Sequence, residues 1–178
     1  EYSDLKKKET SDEVSHSLEI FGVEGKELSA ALNRARIMSV SVNFARHLGD
    51  RHANYLTPVI FSKLVTEMAT KRKMKVKILG RKEMEKEKMG LFLGVAQGSP
   101  EEPQFIVVEY NHGKKGEKPI ALIGKGITFD SGGISLKPAS RMEDMKYDMM
   151  GAAGVAGMMQ ATDDLELLGN DVGLSLTS

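Results

Sequence analysis

The sequence predicts an α/β architecture, a mixed sheet flanked by helices, from three features. Two stretches repeat apolar residues every three to four positions, the period of a helix face packed on a core. Short alternating or continuous apolar runs, bounded by Gly, Pro and Asn, have the pattern of strands. These helical and strand-like segments alternate along the chain rather than cluster, as expected of helices layered on a sheet.

The elements follow in order. Residues 1–26 are polar and charged apart from Leu18-Glu19-Ile20-Phe21-Gly22, and read as a linker with at most one short strand. Over 27–48, Leu28, Leu32, Ala35, Met38, Val42, Ala45 and Leu48 recur at helical spacing, which predicts an amphipathic helix closed by Gly49. Thr57-Pro58 opens a second helix: Thr caps it, and Pro is preset for a first turn where its missing N–H costs nothing. Its inward face carries Phe61, Leu64, Val65 and Met68. Residues 75–79 alternate polar and apolar side chains as a strand, and 81–89 form a short charged helix. The apolar runs 104–110 and 119–123 are two further strands. The polar connection Asn111-His112-Gly113-Lys114-Lys115-Gly116 between them suits a hairpin or a short crossover. The small residues of 151–157, followed by Met158 and Met159, predict a helix packed closely inside its own domain rather than an oligomer seam.

Composition narrows the function. The 178 residues carry 25 Lys+Arg against 25 Asp+Glu and no cysteine. That length can bury a sizeable core. The balanced charge argues against a broad electrostatic grip on nucleic acid or acidic membranes. Without cysteine, disulfide scaffolds, thiolate zinc sites and cysteine nucleophiles are excluded. No apolar run approaches the ~18 residues of a membrane helix. The opening Glu1-Tyr2-Ser3-Asp4-Leu5-Lys6-Lys7-Lys8 has no apolar segment behind it, unlike a signal peptide. A cytoplasmic compartment is expected, and the absence of an initiator Met suggests a piece of a longer chain.

Chemistry concentrates in 124–160. Gly124-Lys125-Gly126 follows a buried strand, then Ile127-Thr128-Phe129-Asp130-Ser131-Gly132-Gly133, Ile134-Ser135-Leu136-Lys137-Pro138 and Met142-Glu143-Asp144-Met145-Lys146-Tyr147-Asp148. Two lysines and two carboxylates thus sit on Gly-punctuated segments near strand ends, where open α/β sheets place ligand sites. Gly lets the backbone turn sharply and approach a ligand closely. A buried Asp130 needs a cationic partner, either a metal or a lysine. Each residue also has a plain structural role open to it: a solvated loop lysine for Lys125, a turn cap for Asp130, a helix-terminal charge for Asp148, a loop corner at Lys137-Pro138. A P-loop is excluded because Gly124-Lys125-Gly126-Ile127 lacks its spacing and hydroxyl, and no dinucleotide glycine triad opens a helix. The scattered His16, His47, His52 and His112 form no helical zinc pair, so any metal must be held mainly by carboxylates, with an amine left open as a further ligand.

The strings GKGITFDSGGISLKP and MKYDMMGAAGV resemble the metal-binding core of the leucyl (cytosol) aminopeptidases, two-metal exopeptidases of the α/β class. Ala45-Arg46 with Ala53-Asn54-Tyr55-Leu56-Thr57-Pro58, and the run Met89-Gly90-Leu91-Phe92-Leu93-Gly94-Val95-Ala96-Gln97-Gly98-Ser99, extend the resemblance upstream. Carried over residue by residue, it makes Lys125, Asp130 and Asp148 metal ligands. Lys125 would bind as a neutral amine, its proton affinity lowered by burial and by the cation, and Asp130 would bridge two metals. Lys137 becomes the catalytic lysine that stabilises the oxyanion, and Met145 lines the pocket for the first side chain. Lys137 and Met145 are therefore also the substrate-binding residues. The implied cofactors are two divalent ions, Zn2+ or Mn2+, that activate a water and hold the substrate's α-amine, with bicarbonate as a proton carrier in the complete enzyme. The implied partners are peptide substrates with a free N-terminus and further copies of the chain in a homo-hexamer.

The resemblance also divides the chain: 1–26 a linker or remnant of an amino-terminal domain, 27–48 a linking helix, and 49–178 the first part of a catalytic domain. The family's downstream Asn-Thr-Asp-Ala-Glu-Gly-Arg box is missing, and the residues after Ala161 are expected to depart from the family. Asp163, Asp164 and Glu166 read as a helix-end charge cluster rather than substitute ligands. The expected function is a metal-dependent aminopeptidase of leucine-type preference, with the site incomplete in this chain. The alternatives are a catalytically inactive relative kept for assembly or binding, and a small phosphate- or nucleotide-binding α/β protein.

Overall fold

The computed structural model of the chain describes residues 25–110, 118–165 and 172–177, with positions 17, 19 and 21. Apart from Glu19 and Phe21, the expected strand over 18–22 lies outside the described residues, as do the connection 111–116, His16, His112 and Glu166.

Helix α1 spans Lys26–Asp50, as the apolar periodicity requires, but of the predicted face Ala45 and Leu48 are buried and its middle is not. Leu32, Met38 and Val42 are exposed, whereas Ile37, Ser41, Ala45 and Leu48 are covered. The cause is its packing partner. Helix α5 (Met150–Asp164) meets α1 at Gly157, where an added Cβ would stand 2.8 Å from Ser41 O, so the backbones close along the Ser41–Ala45 line. Gly49 does not end the helix. It lies inside the last turn, where a Cβ would strike Met150 Sδ.

Helix α2 (Pro58–Lys71) starts as predicted, with Thr57 Oγ1 accepting from the Ile60 N–H at 3.4 Å. Phe61, Val65 and Met68 are buried, and Leu64 is partly so. The charged segment 81–89 is only partly helical. Helix α3 (Arg81–Lys86) stops before Lys88, which adopts a left-handed φ of 57°. A further helix, α4 (Gly90–Ala96), follows it and carries Phe92 edge-on against Phe105, with ring centroids 5.8 Å apart.

Four strands build a mixed sheet: β1 (Lys75–Leu79), β2 (Phe105–Tyr110), β3 (Ile120–Lys125) and β4 (Val172–Thr177), in the order β1-β2-β4-β3. β1 and β2 run antiparallel with Ile78 opposite Ile106, and β2 and β4 antiparallel with Ile106 opposite Leu176. β3 runs parallel to β4, with Leu122 opposite Leu174. β2 and β3 therefore do not form a hairpin, because β4, a strand the sequence did not suggest, lies between them.

One core joins these layers. Phe61 and Val65 of α2, Ile106 and Val108 of β2, Met149, and Ala152, Ala153, Ala156 and Met159 of α5 are all buried together. The small-residue run of α5 thus packs inside its own domain, as expected. No helix among the described residues is long and apolar enough to cross a membrane.

Candidate metal centre

Backbone contact fixes the site's frame. At Gly124, a Cβ would come within 2.6 Å of Ala152 Cα and of Gly151 O. At Gly151, one would come within 3.0 Å of Lys125 N. Glycine at both positions lets the end of β3 lie directly against the start of α5. Lys125, the last residue of β3, is thereby set beside the 3₁₀ segment Met142–Met149 that carries Asp148.

The following loop returns on itself. Gly132 holds a φ of 95°, and a Cβ there would strike Ser135 O, so only glycine allows the turn. The Lys137 N–H donates to Ser131 O at 2.9 Å and closes the loop. That closure carries Lys137 back to Asp130, where Nζ donates to Oδ2 at 2.8 Å. The other carboxylate oxygen, Oδ1, accepts from the Gly132 N–H at 2.9 Å. Lys137 Nζ also donates to Met145 Sδ at 3.1 Å.

The five residues singled out from the sequence therefore fall into a trio and a pair. Lys137 joins Asp130 and Met145, and Lys125 pairs with Asp148. The Lys125 side chain is half exposed, not buried as the carry-over implies, because it extends past the end of β3. The Asp130 carboxyl is held below its usual 3.8, chiefly by the Lys137 hydrogen bond and next by the Gly132 N–H. Burial opposes this, and the charges of Lys137 and Lys125 add lesser lowering effects. Asp130 thus stays an anion, the form in which a carboxylate binds cations. Beside it, a cavity of about 490 Å³ is lined by Lys137, Met142 and Met145 among others.

The donors fit a cation bound through nitrogen and oxygen. Asp148 Oδ2 is buried against Lys125 Nζ, and because a carboxylate oxygen carries two lone pairs, one remains for a cation. Among the described residues no three His, Cys, Asp or Glu side chains cluster, so such a site depends on Lys125 as a ligand. Asp164, in the charge cluster at the end of α5, takes no part. It accepts two hydrogen bonds from Arg72, at 3.0 and 2.9 Å, and ties α5 to α2. Periodicity gave no hint of the role of Gly132 or of the Met145 sulfur contact, since both arise from loop closure.

Residues 43–175 match the catalytic domain of the cytosol aminopeptidase family. A probable cytosol aminopeptidase of Bdellovibrio bacteriovorus is 44% identical over 169 residues, which cover 94% of this chain and 34% of the relative. Those of Methylobacillus flagellatus and Methylibium petroleiphilum are 43% and 44% identical, over 80% and 85% of this chain and 29% and 31% of the relatives. The chain spans about a third of the length of these curated relatives. The match runs past Ala161 to residue 175, so the expected departure of the tail is corrected: the first four residues of strand β4 lie within the matched span.

Proposed function

The chain belongs to the cytosol aminopeptidase family, and from that premise we propose that it carries part of the active site of a metal-dependent aminopeptidase. The activity is release of N-terminal residues, leucine-type by preference, from peptides with a free N-terminus. The observation that carries the proposal is the pairing of Lys125 with Asp148 at the carboxyl end of β3 and of Asp130 with Lys137 in the loop that follows.

Lys125, Asp130 and Asp148 are the proposed metal ligands, and two Zn2+ or Mn2+ ions suit such mixed nitrogen and oxygen ligation. Bound there, divalent cations supply Lewis acidity toward the scissile carbonyl and make a water acidic enough to attack near neutral pH. Asp130, already an anion, needs no proton loss to bind. Lys137 is the catalytic lysine: its ammonium, oriented by Asp130 and the Met145 sulfur, donates to the oxygen that gains charge as the carbonyl becomes tetrahedral. The cavity beside Met145 receives the first side chain, and its thioether and methylene lining suits Leu or Met.

Three protein donors are fewer than two cations require, and we assign the remaining ligands to other parts of the subunit. The 27–48 helix is then a linker between an amino-terminal domain, of which 1–26 is a remnant, and the catalytic part over 49–178. A cytoplasmic homo-hexamer with bicarbonate as proton carrier completes the proposal.

Isothermal titration of the 178-residue chain with Mn2+ tests it. Weak binding is expected in the wild type, and a loss of about tenfold or more in Asp130→Asn. Equal affinity in both proteins would remove Asp130 from the ligand set. Vigorous hydrolysis of leucine-p-nitroanilide by this chain with Mn2+ would show that the site is complete without further ligands.

A further inference from the structure

The last turn of α1 touches the site-bearing segment twice. Lys146 Nζ donates to the Asp50 carbonyl at 3.4 Å, across 96 residues of sequence. Asp50 is the final residue of α1, so its carbonyl is one of those a helix leaves without an intrahelical partner. The ammonium also completes the negative end of the helix dipole. It is held there by the Tyr147 ring, whose centroid lies 4.7 Å away. The second contact is steric: Gly49 has no side chain because Met150 Sδ occupies the place a Cβ would take.

These contacts bracket Asp148, standing two residues before it and two after. Met149, between Asp148 and Met150, is completely buried, so the segment cannot yield toward the core. On its other side, Asp148 faces Lys125. Its position along the chain is therefore set by α1, an element that contributes none of the proposed ligands.

We propose that the C-terminal turn of α1 is a positioning element for Asp148, acting through Lys146 and Gly49, so that any displacement of α1 is felt at the Lys125–Asp148 pair. The inference rests on the proposed metal site for one of its two readouts only. Lys146 touches a backbone carbonyl and no reacting atom, so it is a positioning residue. A cation is what the carbonyl requires, and Arg can supply one.

The test uses three variants of the 178-residue chain: Lys146→Met, which keeps the stem and removes the charge, Lys146→Arg, which keeps the charge, and Gly49→Ala, which displaces Met150. Mn2+ affinity by calorimetry is expected to fall about tenfold in Lys146→Met and Gly49→Ala, and to return to within about twofold of wild type in Lys146→Arg. The second readout needs no metal: the carboxylate ¹³C resonance of Asp148 is expected to shift in Lys146→Met while that of Asp163 does not. Wild-type affinity in Lys146→Met together with an unmoved Asp148 resonance would overturn the inference. Should wild type and Asp130→Asn bind Mn2+ alike, the metal proposal falls and the Asp148 resonance alone decides this one. A moved resonance then sustains it and an unmoved one refutes it. Equal loss in Lys146→Met and Lys146→Arg would also refute the charge-based positioning.

Discussion

Replacing Gly124 by alanine is expected to destabilise the protein by about 2 kcal/mol, within the range of about 1–3 kcal/mol for overpacking. The added Cβ would stand 2.6 Å from Ala152 Cα and Gly151 O and 2.8 Å from Ala152 N, where ordinary contact begins at 3.4 Å. That deficit of about 0.8 Å falls wholly on backbone atoms, so no side-chain rotation relieves it. Strand β3 must instead part from α5, whose Ala152 and Ala153 are fully buried. In a chain of this size each kcal/mol lowers the melting temperature by about 2–4 °C, so a fall of about 4–8 °C is expected in a circular-dichroism melt. Gly154→Ala is the control. It sits in α5, the helix that β3 packs against, with nothing within 4 Å of an added Cβ, and alanine there is expected to stabilise by about 0.5–1 kcal/mol. If Gly124→Ala melts with the wild type, or Gly154→Ala falls as far as Gly124→Ala, then close backbone packing between β3 and α5 is not what these glycines serve.

The Asp130 carboxyl is expected to titrate below 3.8 in a ¹³C NMR series, and to move up in Lys137→Met, which removes its principal hydrogen bond. Because the folded-state value is depressed, the stabilisation from this pair is present above the unfolded value and lost as pH falls through the lower folded one. A wild-type midpoint at or above 3.8 would contradict the geometry. The Arg72–Asp164 pair, bidentate and only partly exposed, is expected to contribute about 0.5–1 kcal/mol, seen as a small fall in melting temperature for Asp164→Asn. A double-mutant cycle with Arg72→Met that returns no coupling energy would dismiss it.

Much of this was legible in the residues. Thr57-Pro58 marked the start of α2 because capping is local chemistry, and the alternation over 75–79 marked β1 because a half-buried strand writes its period into the chain. The Lys125, Asp130, Lys137 and Asp148 set was proposed from the resemblance of its strings to the aminopeptidases, while the pairing of Asp130 with Lys137, which depends on the Gly132 turn, was not legible. What stayed hidden was set by distant partners. Met38 and Val42 keep helical period with Ala45, yet they stay exposed because Gly157 draws α1 onto Ser41. Helix α4 was obscured by glycines at both ends of a short apolar run. Strand β4 follows a charged, Gly-containing stretch, and its pairing with β2 and β3 spans tens of residues, which no local pattern records.

The place of β4 has a consequence during synthesis. It is the last described element to emerge, yet it sits between β2 and β3 and pairs with both. At about 5–20 residues per second, the stretch from Lys125 to Val172 takes roughly 2–9 s to translate. Over that interval the nascent chain holds two strand edges with their N–H and C=O groups unmatched, one on β2 and one on β3, a template for pairing with other chains. The sheet closes only when β4 arrives, so its completion waits on the ribosome rather than on the chain's own folding rate. A stall or stop before Val172 would release a polypeptide with both edges open, a natural client for a chaperone that masks exposed strands.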